Sequence, residues 1–193
     1  MKNNQSGRSM VEMLGVLAII GVLSAGGLAG YSKAMFKHKL NSTMDQLTML
    51  VTNIRTMYGT QENYNGLDVP SAYQLGIIAA SSYTSSSSTM VNPFKGQVTL
   101  AADKAKAGVD DSAFIITYDG LPKEACIALA TSDWGTGAGS GFIGVAAAET
   151  ASAADTAVKA KYSGVSGEGV ALKVSEAVGA CTTDTNAVAI KFY

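Results

Sequence analysis

Gly7-Arg8-Ser9-Met10-Val11-Glu12-Met13-Leu14-Gly15 opens the stretch that decides the fold. After Glu12 no charge occurs until Lys33, so Met13 to Ser32 is an uncharged, largely apolar run of 20 residues. As a helix that run rises about 30 Å, the thickness of one bilayer core. An ordinary secretory signal places its small-residue cleavage site after the apolar region. Here the residue suited to processing, Gly7, stands before it, so cleavage would leave the apolar helix on the mature chain. Glu12 is the fifth residue counted from Arg8. A carboxylate in an apolar membrane segment is costly, which marks Glu12 as a functional candidate.

Outward from this run, Leu40, Met44, Leu47, Val51, Ile54 and Tyr58 recur at three- and four-residue steps, the pattern of an amphipathic helix. Lys33 to Lys39 form a polar neck, no Pro occurs between Arg8 and Tyr58, and Gly59 is a suitable stop. The simplest reading is one helix of about 50 residues, roughly 75 Å long, half in lipid and half packed on a domain. Gly15, Gly21, Gly26, Gly27 and Gly30 weaken its first half by up to about 1 kcal/mol each. Small residues also let helices approach closely, although membrane helices tolerate Gly in any case.

Residues 60–112 read as an irregular connector, with a short helix after Pro70 within Leu67 to Ile78. Ser81 to Ser88 is a polar low-complexity loop, Asn92-Pro93-Phe94-Lys95-Gly96 a turn, and Gln97 to Ala101 a strand. Ala113 to Tyr118 reads as a strand ending at Asp119-Gly120. Leu121-Pro122-Lys123-Glu124 opens a helix carrying Cys126. Trp134 to Gly144 reads as loop, with an Ala-rich run of helical character after it. Val170 to Ala180 reads as a helix, and Ala187 to Tyr193 as a strand alternating Val188, Ile190 and Phe192 against Ala189, Lys191 and Tyr193.

The chain's net charge of −1 hides an asymmetry: residues 1–39 hold five Lys/Arg and one acid, residues 40–193 nine and fourteen. An acidic outer domain gives no electrostatic reason to bind nucleic acid. Counting positive charges around the apolar run would keep the C-terminal part in the cytoplasm, since Lys33, Lys37 and Lys39 outnumber Lys2 and Arg8. The cysteines argue otherwise. Cys126 and Cys181 suit one disulfide made in an oxidising compartment, worth roughly 4 kcal/mol in the chain-entropy model, with two buried free thiols as the alternative.

Tempting catalytic patterns lack support. Gly139-Ser140-Gly141-Phe142-Ile143-Gly144 matches the dinucleotide spacing, but Trp134-Gly135-Thr136-Gly137 before it is no strand, and Glu168 lies only near the required distance. His38, the single histidine, sits in the neck between Lys37 and Lys39, so no His-based metal cluster forms and no second histidine is left for a Ser-His-Asp arrangement. Asp110-Asp111 is an acidic pair in a turn. No cofactor, metal or catalytic residue is expected, and the chain reads as a non-enzyme.

The N-terminal features resemble the type IV pilin precursors, in which a short leader ends in Gly and the mature fifth residue is Glu; Arg8 departs from the family's usual apolar residue. Leu121-Pro122 before the Cys126 helix, the Asn92-Pro93-Phe94 turn, and Cys181 shortly before the last strand extend the resemblance to the type IVb pilins, including those of conjugative plasmids. The resemblance implies an α+β fold, a long N-terminal helix packed on an antiparallel sheet. It implies a leader at 1–7, a membrane and filament-core helix at 8–32, its amphipathic half at 33–58, and a head at 59–193 with a disulfide-bounded region at 126–181. Prepilin peptidase would cut between Gly7 and Arg8 and methylate the Arg8 amine. An assembly ATPase and inner-membrane platform would then move the subunit from the inner membrane into an extracellular homopolymer, with Glu12 setting register. The roles the resemblance implies for such a fibre are adhesion, conjugation, aggregation or DNA uptake. A type II secretion pseudopilin and a single-pass, membrane-anchored periplasmic binding protein are the competing readings.

Overall fold

The computed structural model describes residues 10–135, 140–163 and 169–193. The chain forms two compact units, Met1–Lys39 and Leu40–Tyr193, and one helix, α1 (Met10–Tyr58), contributes to both. Arg8, where the helix is expected to start, lies outside the described residues. Glu12 in the first turn and Arg55 in the last both suit the helix dipole. Gly59 follows directly; a Cβ there would lie 2.8 Å from the Arg55 carbonyl oxygen. In the first unit every described residue up to Met35 is exposed. In the second, Thr43, Leu47, Leu50, Ile54 and Tyr58 make one buried stripe. Thr43 and Leu50 belong to it, whereas Leu40, Met44 and Val51 are only half-buried.

The connector is more ordered than its sequence suggests. Asp68 caps α2 (Val69–Gln74), its carboxylate accepting from the Ser71 N–H at 2.7 Å. Pro70 therefore sits inside the first turn, where its missing N–H has no helical partner to lose. Part of the Ser-rich run is strand: β1 (Tyr83–Thr84) pairs with β2 (Thr89–Val91), held by buried Met90 and by Tyr83 stacking on Tyr73 with centroids 3.9 Å apart. The Asn92 turn is where the sequence puts it. The Asn92 side chain accepts from the Phe94 and Gly96 N–H groups and donates to the Asp119 carbonyl at 2.8 Å. Gly96 is required there, because a Cβ would fall 1.8 Å from that carbonyl oxygen.

β3 (Gln97–Asp103) and β4 (Ala113–Leu121) follow; β4 runs past Asp119-Gly120 through an irregularity in its register. Then come α3 (Lys123–Thr131), β5 (Phe142–Ala148), α4 (Ala151–Lys159), α5 (Val174–Ala180) and β6 (Asn186–Phe192). All strand pairs are antiparallel, in the order β1-β2-β3-β4-β6-β5. Two expectations are corrected. Phe142 to Gly144 are strand rather than loop, and the alanines after them continue β5, because pairing with β6 outweighs their helix propensity. The helical run begins only at Ala151, after the Thr150 cap. Val170 to Lys173 likewise precede α5, with the Leu172 N–H committed to the Ala130 carbonyl.

β6 is central and buried on both faces. On one, Phe192 stacks on Phe114, and the ring series continues through Tyr64 to Tyr58 of α1. On the other, Ala187 and Ala189 join Ile115 and Ala146 against Ala154 and Val158 of α4.

Candidate functional site

Among the described residues no group of three or more His, Cys, Asp or Glu could hold a metal ion. Of the dinucleotide-like pattern, Gly139 and the acid Glu168 lie outside the described residues. Gly144 sits within β5, which pairs antiparallel with β6, and among the described residues there is no βαβ unit to cradle a pyrophosphate. His38 is exposed and Asp111 half-buried. Asp110 pairs with Lys104 at 2.6 Å on the surface, and that pairing raises the lysine pKa. Among the described residues these groups do not come together as a reaction centre.

What the first unit offers is an apolar helix surface. Leu14, Leu17 and Leu23 are 61–70 % exposed, and an 18-residue window of α1 reaches a mean hydropathy of 2.1 with none of it buried. Each large apolar side chain gains about 2 kcal/mol when removed from water. Glu12 stands in the first turn, exposed, and no described cation pairs with it. Gly7 and Arg8 lie outside the described residues. At Gly15, Gly21, Gly26, Gly27 and Gly30 an added Cβ would meet nothing within 4 Å. No contact with a described residue demands glycine at these five positions.

In the second unit Cys126 of α3 is joined to Cys181, the residue that caps α5, and both are fully buried. The bounded region is not surface loop alone, since it supplies β5 and α4. A second anchor of this region was not anticipated from sequence. Lys191 of β6 is fully buried, with Nζ 2.7 Å from the Asp103 carboxylate. It also donates to the carbonyls of Lys161 at 2.7 Å and Lys159 at 3.4 Å, at the end of α4, and lies over the Tyr162 ring. All three ammonium donors are used, which is what makes burying the charge tolerable. The one signal in the sequence was a lysine in an otherwise apolar strand.

A family profile described as Bundlin matches residues 33–192. The major structural subunit of the bundle-forming pilus of Escherichia coli O127:H6 is 26% identical over 137 residues, 71% of this chain and 69% of that one. The toxin coregulated pilin of Vibrio cholerae is 28% identical over 132 residues, 68% of this chain and 59% of that one. A crystal structure of a type IVb pilin from Salmonella typhi superimposes with a TM-score of 0.54 at 20% identity, covering 78% of this chain and 97% of that one. With most of its length matched by that profile, and with this order of helix and antiparallel strands, the chain belongs to the bundlin family and has the type IVb pilin fold.

Proposed function

We propose that this chain is the structural subunit of a type IVb-like pilus and polymerises through its N-terminal apolar helix. The observation that carries the reading is the contrast between the two units. The head buries its own core, while α1 from Met13 to Ser32 leaves an uncharged apolar surface exposed. Lipid before assembly and copies of the same helix after it would both cover that surface. The open space around the five glycines supports close helix approach between copies rather than within one.

In this scheme prepilin peptidase removes residues 1–7 between Gly7 and Arg8 and methylates the Arg8 amine. Residues 8–32 hold the subunit in the inner membrane, residues 33–58 lead into the head, and the head faces the periplasm, where the disulfide forms. An assembly ATPase working through a membrane platform adds subunits to an extracellular fibre. Glu12 meets the Arg8 amine of an adjacent copy, because an unpaired carboxylate in an apolar filament core costs several kcal/mol; the Arg8 guanidinium is the rival cation.

Glu12→Ala tests this. The variant should remain membrane-inserted with its disulfide intact, yet yield few or no sheared fibres. Fibres of normal number and length would show the carboxylate to be incidental. Absence of fibres from the unmodified chain would instead favour a monomeric membrane-anchored protein.

A further inference from the structure

Within the second unit, α1 and the segment from Ile77 to Pro93 enclose a groove of about 300 Å³. Its floor is apolar, made by Leu50, Ile77 and Met90, all buried. Its polar residues are Ser42, Asp45, Gln46 and Ser82. The Gln46 amide nitrogen donates to the Val91 carbonyl at 3.2 Å and to the Ser82 hydroxyl at 3.3 Å. A carbonyl only accepts, so the Val91 contact fixes which end of the amide faces it. Oε1 of Gln46 is thereby left buried with no donor among the described residues. Asp45 is exposed, and no described cation pairs with its carboxylate.

Two unpaired acceptors beside an apolar floor call for a cation on an aliphatic stem. Lysine has that build: its methylenes cover apolar surface while its ammonium, with three donors, reaches the polar edge. The chain itself carries the complementary charge. Residues 1–39 hold five Lys/Arg against one acid, whereas residues 40–193 hold nine against fourteen. Lys33 and Lys37 are exposed and four positions apart, hence on one face of α1.

We propose that this groove is a subunit contact, in which Asp45 and Gln46 of one copy receive the Lys33/Lys37 face of a second copy. The proposal rests on the filament reading above and adds to it a polar contact made by the head. The apolar helices provide area without direction, and a charged groove limits how neighbouring copies can align.

Reversal of charge in full-length chains, read as sheared fibre yield, is the test. Asp45→Lys is expected to cut yield about tenfold or more, as is the double variant Lys33→Glu/Lys37→Glu. Combining all three changes should restore yield to within about twofold of the unmodified chain. Asp45 is exposed, so the head should fold in each case, which a closed Cys126–Cys181 bond and protease resistance of the membrane-bound chain would verify. The milder Asp45→Asn, which removes charge without reversing it, should give an intermediate loss. Unchanged yield from Asp45→Lys, or no recovery in the triple variant, would overturn the contact while leaving the filament reading in place. Absence of fibres from the unmodified chain would overturn both.

Discussion

Tyr118 of β4 is fully buried, and its hydroxyl has no hydrogen-bond partner among the described residues. That hydroxyl gives up water on folding and gains nothing, at a cost of about 1–3 kcal/mol. Burial also pushes the phenol well above its ordinary 10.0. The folded chain therefore keeps a proton that the unfolded chain releases above about pH 10, so stability is unaffected below that pH and falls above it, by up to about 1.4 kcal/mol per pH unit. Tyr118→Phe should raise the urea midpoint at neutral pH and flatten its decline above about pH 10; a lower midpoint at neutral pH would mean that the hydroxyl has a partner. Neither this residue nor Lys191 was legible beforehand. A period-two strand pattern sends Lys191 to solvent, and only α4, some thirty positions earlier, closes over that face. The Cys126–Cys181 pairing was legible because the sequence holds no other cysteine.

Among elements, α1 could be read almost to its last residue, since its periodicity, lack of Pro and terminal Gly all lie within the segment itself. The β5–α4 region could not, because alanine reads as helix in isolation and becomes strand only where β6 supplies hydrogen bonds. Two tests belong here. Replacing Cys126 and Cys181 by Ala should lower head stability by about 4 kcal/mol without changing membrane insertion, and a loss below about 1 kcal/mol would contradict a constraint on a 55-residue separation. In the isolated chain α1 is regular through Gly21, Gly26, Gly27 and Gly30. Packed in a fibre, this segment is where helical hydrogen bonds are cheapest to lose, and a fibre map should show α1 irregular between Gly21 and Gly30. Regular helix throughout would count against that role for the glycines.

For the whole molecule, two features point the same way: a head with a complete core, and an apolar helix surface exposed from Met10 to Met35. The bundlin family profile covers the head from residue 33, and the charge asymmetry between residues 1–39 and 40–193 gives copies a reason to attract. The measurement that bears most directly on polymerisation is the intact mass of the subunit in fibres sheared from cells. The expected result is this chain as the main component, starting at Arg8, carrying one methyl group and lacking two hydrogens for the Cys126–Cys181 bond. Fibres that lack this chain, or that carry it with Met1 still in place, would contradict it.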